Sequence, residues 1–377
     1  IPPLVAMKPD RHGTGKVVIA FAGRSRVANT EGASTRCSFC ARADAATSAM
    51  PAASNAIAAL PICRSPSRAS VQQHRRRIER VILVTGATGF IGPRVVHALR
   101  ERDRAVRALV RRPDDRTAAT LAAWGAELVR GDMTDRESVN RAVEGCEVVV
   151  HLVAIRQGRE EEFRRVMEEG TRGLVAAAKA AGVRRFVLMS ALGTTEETKD
   201  LVPYYHAKWE QEQTLRRSGL EHVIFRPSFV FARDGGILPT FRRLARLAPV
   251  TPIIGSGRQR IQPVWIEDVA AYFAHGVESA EAANRTFELG GPDVVSWNEF
   301  WERLNRTLGL RRPSLHVPIG LMRANALVTE RLPGNIPLTR DLLTMLEHGD
   351  NVVSNDDAVK TFGLPLVSLD EQLRRAA

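Results

Sequence analysis

Tyr204 and Lys208 have the residue types and the spacing that proton transfer to a carbonyl oxygen requires. In the stretch Tyr204-Tyr205-His206-Ala207-Lys208 the lysine follows the first tyrosine by four residues, which places both on one face of a helix. A nearby ammonium group lowers the pKa of a phenol, and the phenol can then protonate a carbonyl oxygen as hydride arrives, or act in reverse. We therefore predict that Tyr204 is an acid/base group and that Lys208 lowers its pKa and binds a nicotinamide ribose.

A glycine-rich turn, 86–92, lies between four apolar residues, 81–84, and an apolar helical pattern that includes Val95, Val96 and Leu99. This order is typical of the start of a dinucleotide-binding unit. Gly86 allows the tight turn, Gly89 lets the backbone approach a pyrophosphate, and Gly92 lets the helix lie close to the sheet. The first amides of the helix then face the phosphates. The predicted cofactor-binding residues of the turn are Gly86, Thr88, Gly89, Phe90, Ile91 and Gly92.

The second predicted strand, 105–110, ends on Arg111 and not on an acid. An acid here would bind the ribose 2′-hydroxyl of NAD, whereas an arginine accommodates the 2′-phosphate of NADP. Arg111 therefore favours NADP(H) over NAD(H), the alternative being that it is a solvated strand end. Asp114 and Asp115 come later and suit the N-cap of the next helix.

Further apolar runs at 127–129, 147–154 and 185–189 alternate with helical patterns. They predict an α/β fold, a Rossmann-type doubly wound parallel sheet with a smaller, mostly helical C-terminal lobe. The expected division is a basic extension at 1–78, a nucleotide-binding domain at 79–232 and a substrate or partner lobe at 233–377. His151, inside one of these runs, is expected to be a hydrogen-bonded core or rim histidine rather than a catalyst.

Most of the formal net charge of +12 belongs to residues 1–78, which contain 12 Lys or Arg and three acids. Disorder is the leading interpretation of this segment; a transit peptide, which would imply an organelle, and an extension absent from the natural product are the alternatives. Cys37-x-x-Cys40 lacks a second pair or a close histidine, so we predict no metal site. The remaining chain, at +3, offers no charge argument for nucleic acid, and no apolar run is long enough to span a membrane.

Several motifs together resemble the atypical and extended short-chain dehydrogenases/reductases: 85–92, Arg111, Asp132, 151–154 and 204–208, followed by 226–231 and 262–270. Within that superfamily the chain is similar to bacterial relatives of the NADPH-binding accessory subunit of respiratory complex I. The resemblance covers about 80–377. It implies that Asp132 and Met133 flank the adenine, although Asp132 could equally be a turn residue. It also implies that Leu152, Ala154 and Pro227 contribute to the cofactor site.

One position departs from the pattern of active members, which place a serine or threonine beside the tyrosine. Ala191 stands there, Ser190 is one residue early, and Thr194 or Thr195 are the possible substitutes. Two functions follow. The first is NADP(H)-dependent redox or epimerase chemistry on a small molecule, with Ser190 assisting Tyr204 and Lys208. The second is a non-catalytic, cofactor-holding subunit or redox sensor of a respiratory complex. Either fits a cytoplasmic location, with contact at the inner membrane as a further possibility.

The C-terminal part contains two features with competing interpretations. Arg258 and Arg260 could bind an anionic substrate group, but loop arginines at a surface are the commoner case. The apolar stretch 318–330 is expected to be a core helix, and contact with a membrane or a partner is the alternative.

Overall fold

The apolar run 81–84 belongs to an inner strand of a seven-stranded parallel sheet. The structure, a computed structural model, describes residues 81–155, 157–329 and 339–377, so the predictions for 1–78 lie outside the described residues. In their order across the sheet, its strands are β12 (Arg285–Leu289), β6 (Glu221–Pro227), β5 (Arg185–Met189), β4 (Cys146–His151), β1 (Val81–Thr85), β2 (Val106–Val110) and β3 (Glu127–Arg130). The predicted fold class is confirmed.

The chain changes direction across the sheet at β1, which pairs with β2 on one side and with β4 on the other. In open parallel sheets this arrangement leaves a crevice at the carboxyl ends of the strands, where ligands bind. Thr85 and His151, the last residues of β1 and β4, are register partners at that edge.

Helices cover both faces of the sheet because each connection between parallel strands must cross over it. Those of the first part are α1 (Gly92–Glu101), α2 (Arg116–Ala123), α3 (Arg136–Val143), α4 (Glu160–Phe163), α5 (Gly170–Ala180) and α6 (Pro203–Arg217). The Asp115 side chain accepts a hydrogen bond from the amide of Thr117, so Asp115 caps α2 as expected.

The helical connection between β4 and β5 contains a π-helical segment, Arg164–Glu169, between α4 and α5. A π turn inserts one extra residue and frees backbone groups from their usual partners. The Met167 carbonyl at this point accepts a hydrogen bond from the Gln211 side chain of α6 at 3.2 Å.

The edge strand β12 comes from late in the chain and pairs with β6 from Arg285 to Leu289. A buried arginine supports this join, because Arg185 donates to the carbonyls of Gly276 and Ser279 and to the carboxylate of Glu221. The sheet is therefore completed only after the chain has passed through much of the C-terminal lobe.

The C-terminal lobe packs around an aromatic cluster in which Phe241 contacts Trp297, Phe300 and Trp301. Its short strands are β7 (Val230–Ala232), β8 (Gly235–Gly236), β9 (Thr251–Ile254), β10 (Arg260–Ile261), β11 (Val264–Trp265), β13 (Val295–Ser296) and β14 (Ser314–Val317). Its helices are α7 (Leu238–Leu247), α8 (Ile266–Gly276), a 3₁₀ turn (Ala280–Ala282), α9 (Trp297–Thr307), α10 (Ile319–Thr329), α11 (Arg340–Glu347), α12 (Asp356–Phe362) and α13 (Leu369–Ala376).

The expectation that 318–330 forms a core helix is wrong. The helix α10 is present, but Leu321 and Leu327 are exposed, and Ala326 is the buried side chain among 319–327. Apolar composition indicates a tendency to be buried, and it does not say which surface covers the helix. None of the helices within 81–155, 157–329 and 339–377 combines the length and the hydropathy needed to cross a bilayer.

Candidate functional site

The glycine turn lies at the carboxyl end of β1 and has no room for side chains at its two ends. Gly86 has φ +74°, and a Cβ there would lie 3.0 Å from the backbone of Leu152. A Cβ on Gly92 would lie 2.3 Å from the Gly86 carbonyl oxygen. This backbone therefore requires glycine at both positions, and it leaves the first amides of α1 facing an open cleft, as phosphate binding requires.

That cleft has a volume of about 1360 Å³ and brings together almost all the residues singled out in the sequence. Those that line it are Gly86, Thr88, Gly89, Phe90, Ile91, Gly92, Arg111, Asp132, Met133, Leu152, Ala154, Ser190, Tyr204 and Pro227. A cavity of this size can hold a dinucleotide together with a second molecule. Lys208 is the exception, because it lies behind the cleft wall.

Charged groups gather at the end of the cleft where Arg111 lies. The Asp132 carboxylate accepts hydrogen bonds from the amide and hydroxyl of Thr134 at 2.9 and 2.8 Å. Burial opposes its charged form, but these bonds and the guanidinium groups of Arg111 and Arg165 hold its pKa below the ordinary value. Asp132 is thus a turn residue that also lies at the cleft, so the two interpretations of it are compatible.

Tyr204 and Lys208 occupy the first half of α6 but face different surroundings. Tyr204 lines the cleft, whereas Lys208 is fully buried and its Nζ donates to the Met189 carbonyl at 2.7 Å. Burial lowers the pKa of Lys208 to about 7, and the Glu212 carboxylate, one helical turn further on, opposes this shift. The lysine therefore lies at the end of β5, behind the wall to which Met189 also contributes.

Glu212 is fully buried and holds two arginines. Its carboxylate accepts hydrogen bonds from Nε and a terminal nitrogen of Arg226, both at 2.8 Å, and from a nitrogen of Arg216 at 3.1 Å. Burial raises its pKa, but the hydrogen bonds from Arg226 and Arg216 outweigh burial and lower the pKa overall. Glu212 therefore remains ionised, and it places a negative charge beside the buried ammonium group of Lys208.

His151 is a core residue, as the sequence suggested. Its ring is fully buried between Thr85 Oγ1 at 2.6 Å and Thr171 Oγ1 at 2.9 Å, and Gln211 Nε2 lies 3.3 Å away. Burial, together with the charge of Lys208, lowers its pKa to about 3. The ring is consequently neutral and satisfied, and its role is to tie β1, β4, α5 and α6 together behind the cleft.

Ser190 lines the cleft, but none of Ser190, Thr194 and Thr195 presents its hydroxyl there in place of the one missing at Ala191. Ala191 itself lines the cleft, but the Ser190 Oγ is buried next to Glu212. Thr194 is fully buried, and Thr195 bonds to Thr198 through its hydroxyl. The role predicted for Ser190 as an assistant of Tyr204 thus gains no geometric support.

Sequence reasoning did not find several residues of the cleft. Arg165 from the π-helical segment lies near Asp132, and Arg243 of α7 lines the wall formed by the C-terminal lobe. That wall is otherwise mainly apolar and includes Phe229, Ile237, Trp297, Met345 and Leu346. Of the two loop arginines, Arg260 lines the cleft and pairs with Asp350 at 2.7 Å. These residues converge from distant parts of the chain, so no local spacing indicated them.

The buried Lys208 gives a testable pH dependence. Its pKa is lower in the folded chain, about 7, than its ordinary value of 10.5. Between these values the unfolded chain binds the extra proton, so this residue should make the free energy of unfolding rise with pH from about 7 to about 10.5. Chemical denaturation of the wild type and Lys208→Met across this window measures the contribution as the difference between the two slopes. Equal slopes would contradict it.

Comparison with known proteins supports the binding of a nicotinamide nucleotide by this chain. The family model described as NAD(P)H-binding matches residues 86–240. The ceramide reductase of Caulobacter vibrioides is 31% identical over 258 residues, which cover 66% of this chain and 77% of that protein. The mitochondrial NADH dehydrogenase (ubiquinone) 1 alpha subcomplex subunit 9 of Arabidopsis thaliana is 26% identical over 267 residues, covering 68% of this chain and 65% of that protein.

Among solved structures, an NADPH-dependent quinone oxidoreductase from Escherichia coli in complex with NADPH has the same fold. The TM-score is 0.64 at 23% sequence identity, and the match covers 78% of this chain and 98% of the other. The sequence relatives therefore support the binding of a nicotinamide cofactor, and the solved structure supports the fold.

Proposed function

The chain belongs to the NAD(P)H-binding short-chain dehydrogenase/reductase superfamily, and we propose that it is an NADP(H)-dependent oxidoreductase or epimerase with Tyr204 as its acid/base. The observation that carries the proposal is that one cleft contains the glycine turn, Arg111 and Tyr204. The steric fit also supports it, because the turn that Gly86 and Gly92 make possible leaves backbone amides open to a pyrophosphate.

In the proposed reaction the residues of the chain hold the substrate and move one proton. The bound nicotinamide supplies or accepts the hydride at the substrate carbon. Tyr204 Oη donates its proton to the carbonyl oxygen during reduction and takes a proton from the hydroxyl during oxidation, so charge and atoms balance. Lys208, whose Nζ donates to the Met189 carbonyl, contributes a positive potential from behind the cleft wall that favours the phenolate of Tyr204.

The composition of the substrate-side wall favours a substrate that has a sizeable apolar part. Phe229, Ile237, Trp297, Met345 and Leu346 line it, and its charged members are Arg243, Arg260 and Asp341. Apolar walls with few polar groups favour ligands that bury hydrocarbon or aromatic surface. A screen of aldehydes, ketones and quinones that follows NADPH oxidation tests the proposal. Failure of every compound, together with tight NADPH binding, would favour the second candidate function.

We expect Arg111 and Arg165 to bind the 2′-phosphate of NADP(H). Arg111→Ser should raise the Kd for NADPH about tenfold or more and leave the Kd for NADH nearly unchanged, since only NADPH has a phosphate on the ribose 2′-oxygen. Arg112→Ser is the matched control, because Arg112 is exposed like Arg111 but does not line the cleft. Fluorescence titration measures both constants. An equal loss for both nucleotides in Arg111→Ser would refute the assignment.

The second candidate is a cofactor-holding subunit or redox sensor of a respiratory complex. It is favoured by the similarity to subunit 9 of the Arabidopsis complex and by the cleft-lining alanine at 191. The exchange of bound NADPH for excess NADP⁺ separates the candidates. Exchange within seconds fits turnover, whereas retention for hours fits a structural nucleotide and directs the search to partners that purify with the chain from native membranes.

A further inference from the structure

Exposed leucines are concentrated in the C-terminal lobe. Among the described residues seven large apolar side chains are exposed, and five of them are leucines of this lobe. We call these five the leucine rim: Leu244, Leu247, Leu315, Leu321 and Leu327. Leu247 and Leu321 retain 71% and 62% of their accessible surface, which is unusual for a large aliphatic side chain.

The elements that contain the rim adjoin one another. Helix α7 leads through a three-residue loop into β9, and β9 pairs in parallel with β14, where Leu315 faces Pro252 in the register. The amide of Thr251 donates to the Pro313 carbonyl at 2.9 Å, which fixes the start of this pairing. The chain then enters α10 one residue after β14 ends. The elements that contain the rim leucines are therefore joined to one another by short connections or by strand pairing.

The segments that contain the rim are basic. Residues 238–260 and 308–329 hold eight arginines and no aspartate or glutamate. Arg260 and Arg323 pair with Asp350 and Glu347, and Arg242 donates to backbone carbonyls. The other five have no acidic partner among the described residues: Arg243, Arg246, Arg258, Arg311 and Arg312. Positive charge is thus available beside exposed hydrocarbon.

Helix α7 shows both properties on one side. Its buried side chains are Leu238 and Ala245, whereas Arg243, Leu244, Arg246 and Leu247 are exposed. Leucine interleaved with arginine on the outer side of a surface helix is typical of interfacial helices, which bury their leucines at the acyl boundary and place their arginines among anionic headgroups.

We propose that the leucine rim and its arginines dock the C-terminal lobe on an anionic lipid bilayer. Helix α7 also gives Thr240 and Arg243 to the cleft wall, and α11 gives Leu342, Met345 and Leu346 to it. The docked lobe therefore presents the apolar wall of the cleft close to the membrane surface. The proposal concerns this surface and is independent of whether Tyr204 catalyses.

Vesicle flotation of the full chain tests the docking. Binding to phosphatidylcholine vesicles containing phosphatidylglycerol is expected, with weaker binding to phosphatidylcholine alone and at high salt. The double variant Leu247→Ser/Leu321→Ser should bind the anionic vesicles at least about tenfold more weakly. The control Val294→Ser/Val359→Ser removes the two exposed valines outside the rim and should bind like the wild type.

A second pair of variants separates charge from hydrocarbon. Arg246→Ser/Arg311→Ser should weaken binding to anionic vesicles, whereas Arg136→Ser/Arg141→Ser on α3 should not. Because all four double variants retain the basic residues 1–78, binding by that segment is common to all of them. The proposal would be overturned if the leucine variant bound vesicles like the wild type. It would also be overturned if the only effect of the leucine substitutions were to convert a dimer in solution into a monomer. Unaltered circular dichroism and Tm verify that each variant is folded.

Discussion

Replacing Tyr204 by phenylalanine should lower turnover by about 10²- to 10⁴-fold, once a carbonyl substrate is in hand, and leave NADPH affinity nearly unchanged. The change removes one phenolic oxygen from the cleft wall and keeps the ring that packs there. If Tyr204 is the proton donor, neither Ala191, which has no hydroxyl, nor Ser190, whose Oγ is buried beside Glu212, can take its place. Losses of this size are usual when a general acid/base is removed.

The neighbouring tyrosine provides the matched control. Tyr205 is almost fully buried, its hydroxyl lies against Gly193, and burial raises its pKa to about 12. Tyr205→Phe should therefore keep turnover within a few-fold of the wild type. Steady-state kinetics and NADPH titration of both variants decide the matter: equal turnover of Tyr204→Phe and wild type would remove Tyr204 from the mechanism.

Glu212→Gln should reduce the free energy of unfolding by about 3 to 5 kcal/mol. The glutamine keeps the shape of the side chain but removes the charge that Arg226 binds through two nitrogens at 2.8 Å. Removing one member of a buried ion pair leaves the other charge without compensation in a medium that solvates it poorly. Lys208 loses the same neighbour, so its pKa should fall further.

Urea denaturation of the variant measures this cost, with Glu137→Gln as the control. Glu137 forms an exposed pair with Arg141 on α3, so its replacement should cost less than about 1 kcal/mol. The double variant Glu212→Gln/Lys208→Met should lose less than the sum of the two single changes, since each removes a charge that the other compensates. Strict additivity, or a cost like that of Glu137→Gln, would show that the buried charges do not depend on each other.

Local patterns predicted the sheet and the glycine turn well because the signals lie within a few residues. The apolar runs of β1, β4 and β5 and the glycines at 86, 89 and 92 determine strand, turn and helix by short-range geometry. The helix α12 has no such local signal, because it is only seven residues long and its single buried side chain is Ala358. A helix this short has too few turns for an apolar period to be recognised.

The sequence predicted which residues form the site, but it did not predict how deeply each side chain is buried. The spacing of Tyr204 and Lys208 indicates a shared helix face, but the burial of the lysine depends on Met189, His151 and Glu212 packing around it. Arg165 lies near Asp132 because it belongs to a π-helical segment, which has no local signature in the sequence. Whether α10 is covered depends in the same way on its neighbours, which explains why an apolar helix is exposed here.

The late arrival of β12 has a consequence for synthesis on the ribosome. Between the end of β6 at Pro227 and the start of β12 at Arg285, the growing chain has a parallel sheet whose outer edge is unpaired. Phe225 of β6 remains without Phe287 and Phe362, two of its later aromatic neighbours, throughout that interval. A chain released before residue 289 would expose this edge to other copies, so nascent chains of this length should need chaperone protection that the finished protein does not.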